Sequence, residues 1–279
     1  MRLHTLPVST AGVVVASGYA YAHGGFRWVP ALLCFLFAVL AQIVSNFANE
    51  YYDYVRGSDK KGREGFRRGV TEGDISPKAM KTATFATLAL ACAVGCGLIP
   101  FGGWKLVPIG AVIAVFALAY SAGPYPLSRL GLGDLAVLVF FGIVPVSLTY
   151  WLQTQELTAD VVCASVAVGL LGTNVLIVNN YRDMEDDQEA GKRTTVVLFG
   201  RKVASAAYLL FGLASIGLTV PVWFHNYNFA APVIYLALHL LTWTRIRRSR
   251  GAALNPLLGA TARNMLIFSL LLLAGCLFL

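Results

Sequence analysis

The sequence predicts an all-α integral membrane protein, one domain over residues 1–279 built as a bundle of about nine transmembrane helices. Three observations predict it. The 279 residues are 57% hydrophobic and only 13% charged, whereas soluble domains carry about 25% charged residues. Apolar runs of the ~20 residues a helix needs to cross ~30 Å of hydrocarbon recur along the chain. Lys and Arg collect in alternate connections between those runs. Barrel strands would show as ~10-residue alternating segments, a pattern the chain lacks.

The first run, 7–23, stops at Gly24-Gly25, a tight turn into the second, 28–49. Its basic start and Ala-Tyr-Ala end mimic a cleavable signal. It reads as a retained helix, because the later runs need it as their odd-numbered start. The second run holds no acid until Glu50, where its character changes abruptly. Runs 79–100 and 103–121 join at a second glycine turn, Gly102-Gly103, and 133–152 and 160–180 are separated by a short polar link. Runs 203–223, 227–245 and 261–279 complete the set.

If these helices alternate in direction, one side receives 20 of the 22 Lys and Arg residues and the other keeps only Arg27 and Lys105. The positive-inside rule then puts the basic side, the N-terminus and the connections after the second and sixth runs in the cytoplasm. The formal charge of +8 belongs mostly to that surface, where it holds anionic lipid headgroups and attracts anionic substrates. Nucleic acid is not implied, since no RNA-binding signature accompanies the charge. Cys34, Cys92, Cys96, Cys163 and Cys276 lie within apolar runs and read as small core residues, neither disulfides nor a zinc site.

Two polar motifs interrupt this apolar pattern. Asn46, Asn49, Glu50 and Asp53 follow an i, i+3, i+4, i+7 spacing that puts them on one helix face. Charged groups at membrane depth face a cavity or a partner and mark a functional site by default. The pattern recurs at the end of the sixth run, where Asn179-Asn180-Tyr181-Arg182-Asp183 matches Asn49-Glu50-Tyr51-Tyr52-Asp53. Each copy leads into an acid followed by cations: Asp59 before Lys60, Lys61 and Arg63, and Asp187 before Lys192 and Arg193. The copies are an even number of helices apart, so both emerge on one side and can face one another.

Carboxylates gathered in this way repel one another unless cations intervene. Hard divalent ions answer that need. Mg²⁺, with Mn²⁺ as the alternative, takes oxygen ligands and shares them with waters and substrate phosphates, and the amides of Asn49 and Asn180 add neutral oxygens. With no thiol or imidazole nearby, zinc and copper fit poorly. His4, His23, His225 and His239 are scattered and read as interfacial or packing residues. The neighbouring Lys and Arg side chains suit phosphate oxygens, so the pattern points to a metal-bound diphosphate on a lipid. Loss of such a diphosphate leaves a carbocation-like centre, which aromatic faces stabilise; Tyr51, Tyr120, Tyr125, Phe140, Phe141 and Tyr150 are the candidates.

The stretches "NFANEYYDYVRGSDKKGREGFRRG" and "NNYRDMEDDQEAGKRTTVVLFGRK" resemble the two signatures of the UbiA superfamily of intramembrane prenyltransferases. "RLHTLPVSTAGVVVASG", "YSAGPYPLSRLGLGDLAVLVFFG" and the Gly-Ser-Asp ending at Asp59 resemble its 1,4-dihydroxy-2-naphthoate branch, and the likeness extends to about Lys202. The resemblance implies helices around a central cavity in the plasma (inner) membrane, with both acid motifs at its cytoplasmic mouth. It implies Mg²⁺ held by Asn49, Asp53, Asp59, Asn180, Asp183 and Asp187. Arg68, Lys192 and Arg193 would grip the diphosphate, with Arg182 and Lys60 as further candidates and Tyr120 a candidate at the reaction centre. The implied reaction joins a polyprenyl group to the ring carbon bearing the carboxylate, with loss of CO₂, in menaquinone synthesis.

This sequence departs from the superfamily pattern in two places. Glu50 stands where Asp is usual, one methylene longer, and remains a candidate metal ligand. Asp59 follows Asn49 by ten residues instead of the usual eight, a spacing that suits the naphthoate branch. The stretch after Tyr120 lacks the Lys-Arg pair of 4-hydroxybenzoate enzymes, although 4-hydroxybenzoate, homogentisate and other acceptors stay open. A cation-coupled transporter is the reading from another class, but its charges belong near the bilayer centre and these sit at helix ends on one side.

Overall fold

The computed structural model describes residues 6–58, 65–225 and 229–278, and no strand occurs among them. Six helices are long and apolar enough to cross a membrane: Trp28–Val55 (α2), Pro77–Cys96 (α4), Gly133–Thr154, Ala159–Arg182 (α9), Thr195–Leu218 (α11) and the stretch Gly251–Cys276. Shorter apolar helices occupy Leu6–Ala22 (α1) and Leu106–Ala119 (α6). Ala230–Arg248 (α13) ends in three arginines. Each apolar run of the sequence is therefore helical, and the chain is an integral membrane protein. Short helices connect them: Gly69–Glu72 (α3), Ile99–Gly102 (α5), Met184–Glu189 (α10) and Val220–His225 (α12).

The bundle is organised around α9. Through its middle it is mostly apolar, with Ala164, Ala167, Val168 and Val178 fully buried, as expected of a helix with neighbours on several sides. It touches α1, α11, the last helix Asn255–Cys276 (α14), and all three parts of the Gly133–Thr154 segment. That segment is Gly133–Val137 (α7), a π-helical turn Leu138–Ile143, and Val144–Thr154 (α8). Pro145 supplies no N–H to the preceding turn, which accounts for the widened stretch. There Gly142 crosses α9 so closely that a Cβ on it would lie 2.2 Å from the Gly169 Cα, a small-residue contact typical of helix crossings in membranes.

The opposite half is thinner. α2 packs on α1, α4, α6 and α8, while α4 and α6 present exposed apolar side chains such as Phe85, Leu90, Val112 and Val115 outward. Such exposure suits a hydrocarbon solvent. α2 has 28 residues, about 42 Å at 1.5 Å per residue, so its last turns reach past the ~30 Å core and carry Asn46–Asp53 to the membrane mouth.

The sequence boundaries shift in two places. The run 203–223 begins earlier, at Thr195, because the Thr194 side chain caps the helix by accepting from the Val197 N–H at 3.3 Å. It kinks at Gly200, whose φ is 78°, and breaks before Pro221. Cys92 and Cys96 are exposed and are not core residues; Cys34 and Cys276 are buried, and all five cysteines are free.

Gly142→Ala should lower the melting temperature of the detergent-solubilised protein, since an added methyl here meets backbone and overpacking costs roughly 1–3 kcal/mol. Gly217→Ala, with nothing within 4 Å of its would-be Cβ, should melt like the parent. Equal melting of both variants would remove the close crossing.

Candidate active site

Both motifs converge on one polar cavity of ≈ 150 Å³. Its wall includes Asn46, Asn49 and Asp53 from α2, Asn179, Asn180 and Asp183 from the end of α9, and Asp187 from α10. Arg68, Tyr120 and Lys192 of the expected set also line it. The spacing on α2 does what the sequence suggests: Asn46, Glu50 and Asp53 share the buried face. In the second motif the helix stops at Arg182, and Asp183 serves both as its C-cap and as the N-cap of α10. The bend turns Asp187 back to the cavity while Glu185 faces outward. Hydrogen bonds from Arg201 hold the Glu185 carboxyl below the usual carboxylate range.

Among the described residues, the three motif acids in the cavity wall are each paired with a cation. Arg68 lies 3.7 Å from Asp53 and donates to Asn49 Oδ1 at 3.2 Å. Lys192 lies 3.1 Å from Asp187. Arg182 grips Asp183 with two parallel hydrogen bonds, Nε to Oδ1 at 2.7 Å and Nη2 to Oδ2 at 2.8 Å. Arg182 also donates to Asn255 and Asn179, each at 2.9 Å, and is only 3% exposed. It is absent from the cavity wall. The residue expected as a diphosphate ligand is instead a brace behind Asp183. Glu50 also turns away from the cavity: one carboxylate oxygen accepts the Val70 N–H at 3.1 Å and anchors α3. Arg193 is exposed. Asp59 and Lys60 lie outside the described residues.

Behind the polar cavity lies an apolar chamber of ≈ 380 Å³ between α2, α4, α6 and α8. The two share Gln42, Ser45, Tyr120 and Phe141 in their walls, so Tyr120 stands at the junction. Phe140 and Phe141, on the π-helical turn, line the chamber. The other aromatic candidates are elsewhere: Tyr51 stacks edge-on with Tyr52, Tyr125 is 76% exposed, and Tyr150 is buried against His23 at 2.7 Å. His23 also faces Asp160 at 3.4 Å, away from both cavities.

Sequence reading missed Arg56, Arg129 and Asp134. Arg56 donates to the main-chain oxygens of Ser121 and Gly123. Arg129 donates to Ser58 Oγ at 2.8 Å and to the Ala190 oxygen. Through them the 121–132 loop ties the first motif to the second. Nothing in the repeat announces these partners, but Asp134 is an acid at the start of an apolar run, as Glu50 is an acid at the end of one.

Among the described residues no three His, Cys, Asp or Glu side chains converge as a ready metal cage. The donor set nevertheless fits Mg²⁺. The cavity offers carboxylate and amide oxygens and no imidazole or thiol, and this ion typically uses one or two carboxylates, leaving its other positions to water and phosphate.

An all-helical membrane bundle with a cavity of paired acids and cations opening into an apolar chamber defines a membrane protein built to take an amphiphile with an anionic head. The UbiA prenyltransferase family model matches residues 11–270, and the chain belongs to that family. It is 34% identical to the 1,4-dihydroxy-2-naphthoate octaprenyltransferase of Escherichia coli (strain K12), covering 99% of this chain and 92% of that one. The protein of the same description from Mycobacterium tuberculosis is 33% identical over 96% of this chain and 92% of its own length. Among solved structures, the apo UbiA homolog from Aeropyrum pernix K1 superposes with a TM-score of 0.71 at 16% identity, covering 99% of this chain and 98% of that one. The Archaeoglobus fulgidus homolog bound to GPP and Mg²⁺ gives 0.65 at 17%, covering 98% and 99%.

Removing the brace tests its role directly. Arg182→Gln leaves the buried Asp183 carboxylate without its bidentate partner and should cost roughly 3–5 kcal/mol of stability, part of which returns in the Arg182→Gln, Asp183→Asn double variant. Arg193→Gln should be neutral. A melting curve for Arg182→Gln equal to the parent's would make Arg182 a ligand-binding residue after all.

Proposed function

We propose that the chain transfers the polyprenyl group of a polyprenyl diphosphate to 1,4-dihydroxy-2-naphthoate, releasing CO₂ and diphosphate and giving the quinol form of demethylmenaquinone. The observation that carries this reading is the junction of the two chambers: a charged half lined by both motifs meets an apolar half at Tyr120 and Phe141. A lipid diphosphate fits with its head in the first and its tail in the second. The acceptor comes from the relatives, which share a third of their residues with this chain along nearly its whole length.

The site residues divide the work. Asp53, Asp183 and Asp187 with the amide oxygens of Asn49 and Asn180 hold Mg²⁺, and Asp59 completes the first motif. When bound, the ion neutralises charge on the leaving diphosphate. Arg68 and Lys192 donate to phosphate oxygens, as their position in the wall and charge-assisted bonding suit. Their donors are fixed before reaction begins and so stabilise charge as it develops. Tyr120 and Phe141 present ring faces where the allylic carbon loses its oxygen, which favours positive charge there. The apolar chamber excludes water from that carbon, so the ring carbon of the acceptor competes only with diphosphate return.

Orientation follows from the basic connections: nine spans in the plasma (inner) membrane, with the N-terminus and both motifs in the cytoplasm. A cysteine placed at Asp74 should resist a membrane-impermeant maleimide added to intact cells, while one placed at Gln155 should label above the native background. The reverse pattern would invert the topology.

Turnover is tested by incubating purified protein with Mg²⁺, mixed-length polyprenyl diphosphates and 1,4-dihydroxy-2-naphthoate, and weighing the products by mass spectrometry. A prenylated, decarboxylated product should form, vanish with EDTA, and fall at least a hundredfold in Asp53→Asn and Asp183→Asn, on the order of one lost charge-stabilising group. Undiminished product in both variants would sink the metal assignment. Absence of naphthoate product from a folded sample would sink the acceptor.

A further inference from the structure

We infer that Asp134 recognises the aromatic acceptor, its carboxylate accepting the hydrogen bond of a phenolic O–H. This rests on the proposed naphthoate acceptor. Asp134 lies in the first turn of α7 and in the wall of the polar cavity, with Tyr120, Ser128 and Thr195 beside it. Its neighbour Gly133 packs beside Tyr120, whose hydroxyl lies 3.5 Å from where a Cβ on Gly133 would be, so Tyr120 and Asp134 flank one spot of the cavity wall.

Asp134 differs from the other acids of the cavity in its partners. Asp53, Asp183 and Asp187 each face a cation. Asp134 has none among the described residues. The Thr195 hydroxyl donates to its Oδ2, while Oδ1 is buried and receives no hydrogen bond. A carboxylate can accept about four hydrogen bonds, and a buried acceptor left unmade is costly enough to require an explanation. The Cβ–Cγ torsion of Asp is soft, so the group can turn to meet a donor in the cavity.

Substrate chemistry identifies that donor. An ionised diphosphate carries acceptors only, and an isoprenoid tail carries neither donor nor acceptor. Of the two substrates, only the hydroxynaphthoate brings O–H groups. An acid without a cation would repel a diphosphate and attract a phenol.

The hydrogen bond also serves the reaction. A ring π pair forms the new C–C bond as the allylic C–O bond breaks and its pair leaves on diphosphate. The positive charge left in the ring spreads to the hydroxyl oxygen, whose proton Asp134 then shares. Loss of CO₂ returns a bonding pair to the ring, and the proton stays with the oxygen, so none is consumed.

The test compares wild type, Asp134→Asn and Asp134→Ala on 1,4-dihydroxy-2-naphthoate and on its 1-O-methyl and 4-O-methyl ethers, with the donor and Mg²⁺ each varied. Wild type should reject one ether relative to the parent compound. Asp134→Ala should lose roughly ten- to hundredfold in kcat/KM for the parent, the range of a hydrogen bond to a charged group, and should no longer discriminate against that ether. KM for the prenyl diphosphate and the Mg²⁺ requirement should stay as in wild type, and Asp134→Asn, which still accepts through its amide oxygen, should fall between. Equal losses on parent and ethers, or a raised Mg²⁺ requirement, would overturn the inference and leave the prenyltransferase reading intact. A folded wild type inactive on the parent compound would instead remove the acceptor reading, and this inference with it.

Discussion

Burying carboxylates at the mouth of an apolar bundle is costly unless they are paired, and much of the architecture of the site follows from that constraint. An isolated charge away from water costs several kcal/mol even after relaxation. The Arg182–Asp183 pair meets the demand most completely, with two parallel bonds between a guanidinium and a carboxylate that are both nearly unexposed. Its remaining donors fix the docking of helices. One holds Asn179 a turn earlier on α9 and the other holds Asn255 at the start of α14. The pair that positions Asp183 thus also sets where two of the bundle's longest helices meet. Phe66 lies over the same guanidinium at 5.6 Å, drawing in the chain that follows the first motif.

A second consequence is the strap over the mouth. Two acid motifs on separate helices would spread apart unless something spans them. The 121–132 loop does so with arginines and main-chain carbonyls. Arg56 leaves the first motif to reach the loop at Ser121 and Gly123, and Arg129 leaves the loop to reach Ser58 on one side and Ala190 on the other. Gly131 passes so near Arg193 that a Cβ would come within 3.0 Å of its carbonyl oxygen, and its φ of 78° already favours glycine. Tyr120 and Asp134 stand at the two ends of this strap, so the segment that closes the mouth also carries side chains to the chamber junction.

The sequence made legible what periodicity encodes. Asn46, Glu50 and Asp53 fall on one buried face because helix spacing dictates it, and the parity of the intervening helices brought the second motif to the same cavity. Spacing does not encode where a long side chain ends. Arg182 and Lys192 look alike beside their acids, yet one lies behind the site and the other in its wall. Glu50 kept its place on the face but spends an oxygen on the Val70 amide, a partner that depends on how the loop returns. Tyr51, Tyr125 and Tyr150 were near the motifs only along the chain or in helix number. The early start of α11 was written in Thr194, a capping residue hidden within the basic stretch that separates the motif from its next apolar run.

The three ion pairs differ in a way that bears on ligand entry. Asp183 is held by a bidentate partner outside the cavity wall, and nothing entering the cavity competes directly for that guanidinium. Arg68 and Lys192 are in the wall, 3.7 Å and 3.1 Å from their acids, where an entering ligand can reach them. In the proposed reading, an incoming diphosphate with its cation would exchange with these pairs, phosphate oxygens taking the Lys and Arg donors and the cation the carboxylates. Arg182 meanwhile keeps Asp183 in place throughout. Pairing Asp53, Asp183 and Asp187 each with a cation is how these acids stay at the edge of a low-dielectric bundle.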